Sequence, residues 1–220
     1  MARLIVLNGP PGCGKSTLAR RYADDRPLTL DLDIDRVRDL ISGWREHAGP
    51  AGLLARAVAL AGARVHLGGG HDVIVPQFLG RTEFIEQAER LAHEVDADFH
   101  EVVLLDTRDE ALRRFAERGR ISGDPAHLDA ERMLDRHGGA AELAAMYDRL
   151  LKVIAARPAT RIVRSVAGEV ERTYRDLLTC LDQAPPRGAG DGDGDAGAAR
   201  AGAAATGAAA PTTAAVSHRE

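Results

Sequence analysis

The sequence predicts an α/β domain in which a mostly parallel, five-stranded sheet lies between two layers of helices. Two observations indicate this three-layer α/β/α architecture. Short apolar runs of the kind that form buried strands alternate along the chain with longer segments of helical periodicity. In addition, a glycine-rich loop joins the first apolar run to the first helical segment, so strand, loop and helix follow one another at the start of the chain.

Five strand-like runs predict the strands, and the first of them is short and continuously apolar, as strands buried on both faces of a parallel sheet are. They lie near residues 4–7, 28–32, 73–75, 102–105 and 161–164. Apolar residues at helical spacing predict the helices, and right-handed crossovers would place those helices on both faces of the sheet. The predicted helices cover residues 15–24, 35–43, 51–67, 82–95, 109–118, 127–136, 139–156 and 168–182.

Composition divides the 220 residues into a domain and a tail. Residues 1–184 carry the apolar segments and are long enough for one α/β domain. Residues 185–220 are mostly Ala and Gly, contain no aromatic residue, and have Val216 as their only larger aliphatic side chain. Such a segment cannot bury enough apolar surface to offset the entropy lost on ordering. We therefore expect a disordered C-terminal tail.

Charge and cysteine usage restrict the partners that the protein can have. The formal net charge of -4 argues against adhesion to long nucleic acids. The two cysteines, Cys13 and Cys180, show neither a disulfide framework nor metal-ligand spacing, as expected of a reducing cytosol. No signal segment precedes the first strand, and the most apolar helix is interrupted by Arg56 and Arg64. We therefore expect a cytoplasmic protein without a membrane span, whose oligomeric state the sequence does not predict.

The most informative motif fits the phosphate-binding pattern G-x-x-x-x-G-K-[ST]. Its glycines let the backbone bend around an anion, Lys15 reaches the outer phosphates, and the Ser16 hydroxyl can ligate Mg²⁺. Lys15 is one of only two lysines among 29 basic residues, so an arginine-rich chain carries a lysine where the motif needs a compact charge. We expect ATP and Mg²⁺ as cofactors. The predicted nucleotide contacts are Gly9, Pro10, Pro11, Gly12, Cys13, Gly14, Lys15, Ser16 and Thr17.

Carboxylates follow the second predicted strand, next to the phosphate-binding loop. Transfer of a phosphoryl group to an alcohol needs a group that accepts the hydroxyl proton, and Asp33 and Asp35 are the candidates. If Asp35 opens a helix, Arg38 lies one turn later on the same face. The alternative is that Asp33 or Asp35 is simply a helix N-cap and Arg38 a solvated charge.

A family resemblance favours the catalytic alternative. The first 44 residues, with GPPGCGKST and LDIDRVR, resemble the kinase half of the polynucleotide kinase, zeta toxin and chloramphenicol phosphotransferase group of P-loop kinases, an AAA-type ATP-binding domain of the small-kinase kind. In that group a D-x-x-R element follows strand 2. The resemblance implies the P-loop NTPase fold, Asp35 as the base, Arg38 as an acceptor contact, and Asp33 as a weaker candidate for the base.

Arginines after the fourth predicted strand resemble the helical lid of the same kinases, in which an arginine shortly before a glycine closes over the phosphates. Arg118 precedes Gly119, and Arg114 lies one turn earlier on the same helical face. The resemblance implies that Arg118 is catalytic and that Arg114 and Arg118 contact the nucleotide, stabilising the charge of the transition state. A helix in which Arg and Glu alternate is also typical of a solvated surface.

The third predicted strand departs from the pattern of the group. There it should end in an acidic residue, but in this chain Gln77 follows the strand. The metal would then depend on Ser16, on the phosphates of the nucleotide, and on Asp33 or Asp35. Gln77 and Arg81 become candidate acceptor contacts, the alternative being a plain turn and helix start.

The sequence leaves two functions open. The first is a kinase that transfers the γ-phosphoryl group of ATP to a hydroxyl of an unidentified small-molecule or nucleotide-type acceptor. The second is a nucleotide-dependent regulatory ATPase or switch protein. The carboxylate after strand 2 favours transfer, whereas the missing acid after strand 3 disfavours hydrolysis.

Overall fold

The structure, a computed structural model, describes residues 1–111, 113–114 and 139–183. The predicted Arg118, the predicted helix at 127–136 and the predicted tail at 185–220 lie outside these ranges. Residues 108–111, 113 and 114 are helical. The remaining elements, numbered in chain order, are β1 Arg3–Asn8, α1 Lys15–Asp24, β2 Leu30–Asp31, α2 Ile34–Asp39, α3 Ala48–Gly68, β3 Val73–Pro76, α4 Glu83–Glu94, β4 Asp98–Leu105, α5 Ala140–Ala156, β5 Arg161–Arg164 and α6 Val170–Asp182.

The five strands form one sheet in the order β2-β3-β1-β4-β5. Every neighbouring pair is parallel, which confirms the predicted sheet. Strand β1 lies at the centre, with β3 on one side and β4 on the other. Its carboxyl end therefore opens onto the middle of the edge where ligands bind in open α/β sheets.

Helices cover both faces of the sheet because the side chains of β1 alternate between two apolar clusters. Leu4 and Val6 pack in a cluster with residues of α3 and α4, whereas Ile5 and Leu7 pack in a second cluster with residues of α1 and α6. All four side chains are at most 1% exposed. The predicted three-layer arrangement is thus confirmed.

Helix α3 begins three residues before the predicted start because Pro50 lies in its first turn, where a backbone N–H has no intrahelical partner. Its buried face carries an alanine at every fourth position, which lets the helix lie close to its neighbours. Although α3 is the most apolar helix, no helix of the described ranges is long and apolar enough to cross a membrane. The buried alanines are Ala51, Ala55, Ala59 and Ala63.

Other predicted boundaries are also wrong, each for a local reason. Strand β2 is Leu30–Asp31 instead of 28–32: it ends one residue early, and it omits Leu28 and Thr29 because Leu28 has a left-handed φ of 68° and the Thr29 N–H is bonded in a turn. Strand β4 begins four residues earlier than predicted, since the polar His100 and Glu101 are buried within it. Helix α2 ends at Asp39 rather than at residue 43, where the chain turns through a glycine with a φ of 70°.

Candidate functional site

The loop between β1 and α1 begins at a position that only glycine fits. Gly9 has a φ of 151°, which side chains rarely adopt. A Cβ atom there would lie 2.6 Å from the Cys13 sulfur and 2.6 Å from the carbonyl oxygen of Leu104. The loop therefore packs directly on the backbone of β4, and a larger residue would displace it.

Asn8, the last residue of β1, fastens the start of this loop. Its side chain is fully buried, and its amide oxygen accepts hydrogen bonds from the backbone N–H groups of Gly9 at 2.8 Å and Leu79 at 2.9 Å. The side-chain nitrogen donates to the Leu79 carbonyl at 3.0 Å. Asn8 thus joins the loop to the segment that follows β3.

The first turn of α1 suits an anion. Its N-cap, Gly14, has left-handed φ and ψ angles of 92° and 10°, and no side chain caps the helix. Apart from Gly14 and its chain neighbours, no residue of the described chain approaches within 4 Å of where a Gly14 Cβ would stand, and Ser16 and Thr17 are exposed. The orphan N–H groups and the helix dipole at this end favour a phosphate, and the space in front of Gly14 is open to one.

Lys15 lies across the loop. Its Nζ donates to the carbonyl oxygens of Gly9 at 2.9 Å and Pro10 at 3.0 Å, and lies 3.9 Å from the Cys13 sulfur. These partners are neutral, so no carboxylate of the described chain cancels the lysine charge. The half-buried ammonium group therefore remains able to bind an anion.

A cavity of about 350 Å³ opens beside the loop. This volume lies within the range of small-molecule sites. The loop and the start of α1 form one wall, and residues 165–168, which follow β5, form part of another. Arg114 also lines the cavity. A nucleotide whose phosphates bind the loop can therefore place its remaining part here.

Arg114 is held in that cavity by several partners, and only 10% of its side chain is exposed. It donates to the Asp106 carboxylate at 2.7 Å and to the Ser165 carbonyl and hydroxyl at 2.7 and 3.1 Å. The Ser165 hydroxyl in turn donates to the Cys13 carbonyl at 2.8 Å. Hydrogen bonds from Arg113 and then Arg114 lower the pKa of Glu110 to about 2. Arg114 thus connects the helix after β4 with the loop.

Asp33 and Asp35 take different positions at the start of α2. Asp33 is the N-cap, and its carboxylate accepts a hydrogen bond from the Asp35 N–H at 2.9 Å. Burial, and then the charge of Asp35, raises the pKa of Asp33. The carboxylate of Asp35 pairs with Arg38 at 2.9 Å. The capping role that the sequence left open for Asp33 is therefore confirmed.

Arg38 also packs on an aromatic ring. Its guanidinium carbon lies 4.2 Å from the centre of the Trp44 ring, and that of Arg45 lies 4.5 Å from the same ring. Trp44 is only 9% exposed. The Nε atom of Arg38 is buried without a hydrogen-bond partner in the described part of the chain.

Gln77 follows β3, which lies between β2 and β1 in the sheet. It therefore lies between the Asp35–Arg38 pair, which follows β2, and the loop that follows β1. Its backbone N–H donates to the Leu7 carbonyl at 3.2 Å. Its side-chain oxygen is buried and has no partner among the described residues. Arg81, four residues later, is exposed. The topology thus brings the loop, the Asp35–Arg38 pair and Gln77 to one edge of the sheet.

Sequence reasoning missed three polar residues of this edge: Asn8, Asp106 and Ser165. Each is the last residue of a strand or comes directly after one. That position is itself a signal, since side chains at the carboxyl ends of parallel strands converge on the ligand edge. The sequence alone does not predict the hydrogen-bond partner of each side chain.

Known proteins show which family and fold this chain is similar to. The model of the AAA domain family matches residues 4–143. The tunicamycin resistance protein of Deinococcus radiodurans aligns with a TM-score of 0.54 at 16% identity, over 84% of this chain and 100% of that one. A gluconokinase from Sinorhizobium meliloti 1021 aligns with a TM-score of 0.51 at 17% identity, over 80% and 90%. No curated protein sequence matches. The predicted P-loop fold is thus confirmed.

Proposed function

We propose that this chain, which belongs to the AAA domain family, transfers the γ-phosphoryl group of ATP to a hydroxyl of a small-molecule or nucleotide-type acceptor. Membership of the family implies nucleotide binding. The observation that carries the proposal is the juxtaposition at one sheet edge of an anion-binding loop, in which Lys15 bonds only to neutral groups of the described chain, and the Asp35–Arg38 pair. We place the protein in the cytoplasm on the basis of its cysteine usage.

The β1–α1 loop would hold the phosphates. Its N–H groups and the uncapped start of α1 bind phosphate oxygens, and Lys15 exchanges its carbonyl partners for the outer phosphates. The exposed Ser16 hydroxyl, an oxygen ligand, suits Mg²⁺, which would neutralise charge on the phosphates and keep several waters. The rest of the nucleotide would occupy the cavity that Arg114 and Ser165 line.

Asp35 would accept the proton of the acceptor hydroxyl. Its carboxylate follows β2, at the same edge of the sheet as the loop, and Arg38 fixes one of its oxygens at 2.9 Å. Such a base contributes about 10²–10⁴-fold to turnover. Arg118, which lies outside the described residues, would stabilise the charge that develops on the transferred group.

Gln77 favours transfer over the alternative of a regulatory ATPase or switch. An ATPase needs a group that polarises water beside the γ-phosphate, and an acid after β3 would supply it. In this chain the residue directly after β3 is Gln77, whose side-chain amide carries no charge. Asp33 and Asp35 instead follow the neighbouring strand β2, where a second substrate can meet the phosphate.

The test is ATP turnover with a library of hydroxyl compounds, measured for wild type and for Asp35→Asn. We expect turnover to fall by about 10²–10⁴-fold while affinity for a non-hydrolysable ATP analogue changes little. Asp24→Asn is the matched control, because Asp24 is exposed at the end of α1 that is opposite the loop and should leave turnover within about twofold. Full acceptor-dependent turnover in Asp35→Asn would exclude Asp35 as the base.

The loop is tested separately with the two lysines of the chain. Lys15→Ala should lower the affinity for ATP by about tenfold or more, because its charge is then absent from the loop. Lys152→Ala removes an exposed lysine far along α5 and should change nothing. Calorimetric titration with the ATP analogue measures both. Equal affinities in the two variants would contradict phosphate binding by Lys15.

A further inference from the structure

Helix α3 carries large apolar side chains on a side that faces away from the sheet. We propose that this side is an interface between two copies of the chain, in which the two α3 helices pack antiparallel. The inference goes beyond the proposed function, because it assigns a surface that the nucleotide site does not use.

The exposed apolar side chains of α3 form a continuous seam. They follow one another at alternating intervals of four and three residues, the spacing that aligns apolar residues along a coiled coil. The three larger side chains are 57, 56 and 78% exposed, and the fourth belongs to an exposed alanine. A surface helix normally carries polar groups on this side, so the seam indicates a contact with another molecule. The seam consists of Leu54, Val58, Ala61 and Val65.

The seam is complementary to a second copy of itself. In an antiparallel pair, Val58 of one copy can lie opposite Ala61 of the other, and Leu54 then lies opposite Val65. Each layer combines a larger side chain with a smaller one, and two-fold symmetry makes every contact twice. The alanines lie near the centre, where they let the two helices approach closely.

The charges of α3 agree with this antiparallel register. The helix has no carboxylate, and successive rotations of about 100° place Arg56 on the side opposite the seam. Arg64 lies on a flank of the seam and pairs with Glu94 of α4. With Val58 opposite Ala61, the Arg64 residues of the two copies lie about 13 Å apart along the axis, beyond the Debye length of about 8 Å. A parallel pair in register would place the two like charges at the same level.

The C-terminal segment of the chain does not suit the seam. The last described helix, α6, packs in the apolar cluster on the face of the sheet opposite α3, so the chain leaves the described domain on the other side. Residues 185–220 also offer Val216 as their only larger aliphatic side chain. A membrane suits it no better, because the neighbouring helix α4 carries four glutamates against one arginine and would be repelled by anionic lipids.

The size of the seam determines how strong the dimer is. From Leu54 to Val65 the seam is about 17 Å long, so one helix pair buries less than the roughly 1,200 Å² of a stable complex. We therefore expect a weak, concentration-dependent dimer with a dissociation constant on the order of 10 µM.

Sedimentation velocity of the full chain over a concentration series around that value measures the dimer. Val58→Glu should raise the dissociation constant by about tenfold or more, because it buries a carboxylate in each central layer. Leu53→Glu is the matched control. Leu53 is 68% exposed on the same helix but lies off the seam, so its substitution should change the dissociation constant by less than about twofold.

Both substitutions are at exposed positions, so circular dichroism should show the wild-type fold in each variant. A wild-type chain that stays monomeric through the series would overturn the inference. An equal loss of the dimer in Leu53→Glu and Val58→Glu would overturn it as well, because the contact would then not follow the seam. Binding of the full chain to phosphatidylglycerol vesicles that Val58→Glu abolishes would assign the seam to a membrane instead.

Disulfide cross-linking tests the antiparallel register. Val58→Cys and Ala61→Cys are made separately in a Cys180→Ser chain, whose remaining cysteine, Cys13, is buried. Oxidation of an equal mixture should give mainly linked dimers with one copy of each variant, because the two positions lie opposite each other. Faster linking of either variant with itself would overturn the register.

Discussion

The amino ends of the strands form one edge of the sheet, the amino edge, and their carboxyl ends form the other, the carboxyl edge. Both edges carry polar side chains, but the hydrogen-bonding groups of those side chains find partners to different extents. At the amino edge, the Asp72 carboxylate accepts hydrogen bonds from the Arg3 N–H at 2.8 Å and the Tyr22 hydroxyl at 2.7 Å. Arg3 also pairs with Asp182 at 3.3 Å. At the carboxyl edge, Asp31, Arg38 and Gln77 each hold a buried polar atom without a partner, three of the four such atoms in the described chain.

This difference separates polar groups that hold the fold from polar groups that are kept for a ligand. A buried polar atom without a partner costs on the order of 1–3 kcal/mol, so a chain does not gather three of them at one edge for stability. At the amino edge, by contrast, the Asp72 carboxylate, the Arg3 N–H and the Tyr22 hydroxyl satisfy one another. Substitutions at the amino edge should therefore change stability, and substitutions at the carboxyl edge should change binding and turnover.

Gly9→Ala tests the carboxyl edge most severely and should have the largest effect. The new Cβ would meet the Leu104 carbonyl at 2.6 Å, and the φ of 151° would be strained. We expect a loss of about 3–5 kcal/mol in the free energy of unfolding and loss of analogue binding. Urea unfolding and calorimetry measure the two. Gly62→Ala, at an open position in α3, is the control and should gain up to about 1 kcal/mol.

Asp72→Ala should have the largest effect at the amino edge. It leaves the Arg3 N–H and the Tyr22 hydroxyl without their acceptor, which should cost about 3 kcal/mol in the free energy of unfolding. Affinity for the ATP analogue should stay the same, because the loop lies at the opposite edge. Tyr22→Phe removes one of the two bonds and should cost about 1 kcal/mol. A tenfold loss of affinity for the ATP analogue in Asp72→Ala would contradict the view that the amino edge serves stability and the carboxyl edge serves binding.

His100 makes the amino edge sensitive to acid. Burial, and then the charges of Arg161 and Arg3, lower the pKa of His100 to about 4. An unfolded histidine has a pKa of about 6.5, so between these values the unfolded chain binds a proton that the folded chain does not. The contribution of His100 to stability is therefore complete above pH 6.5 and falls as the pH drops. We expect a loss of about 2 kcal/mol between pH 7 and pH 5.

Urea unfolding at those two pH values, for wild type and for His100→Gln, measures this contribution. The variant lacks the titrating group and should lose the smaller amount. Between pH 5 and pH 7, nucleotide affinity should depend on the phosphates and the loop and should not depend on His100. If both proteins lose equal stability, His100 is not the group that responds to acid.

Gln77→Leu should have the smallest effect on stability and the opposite sign. It removes a buried oxygen that lacks a partner in the described chain, so we expect a gain of about 0.5–1 kcal/mol together with a fall in acceptor-dependent turnover. Gln87→Leu, at an exposed position in α4, should change stability by less than about 0.5 kcal/mol. Thermal unfolding and turnover are the measurements. A destabilised Gln77→Leu would show that the amide has a structural partner.

The start of the chain is the region that sequence patterns predict best. The predicted helix at 15–24 coincides with α1, because a buried run, a glycine pattern and a helical period all act within a few residues of each other. Strand β4 is predicted too short, because His100 and Glu101 interrupt the apolar run and take partners, Arg161 and Arg157, that are distant in sequence. Arg114 lines the cavity beside the loop since Asp106 and Ser165 bind it there, and no local pattern reports those bonds.

The amino-acid sequence by itself determined the alternation of strands and helices and the chemistry of the β1–α1 loop. Those features depend on backbone conformations that neighbouring residues set, above all the glycines. Only the tertiary structure decided which distant partner a polar side chain takes, such as Ser165 for Arg114 and Asp72 for Tyr22. Partner choice depends on which strand ends adjoin in the sheet, and that order arises from the packing of segments far apart in the chain.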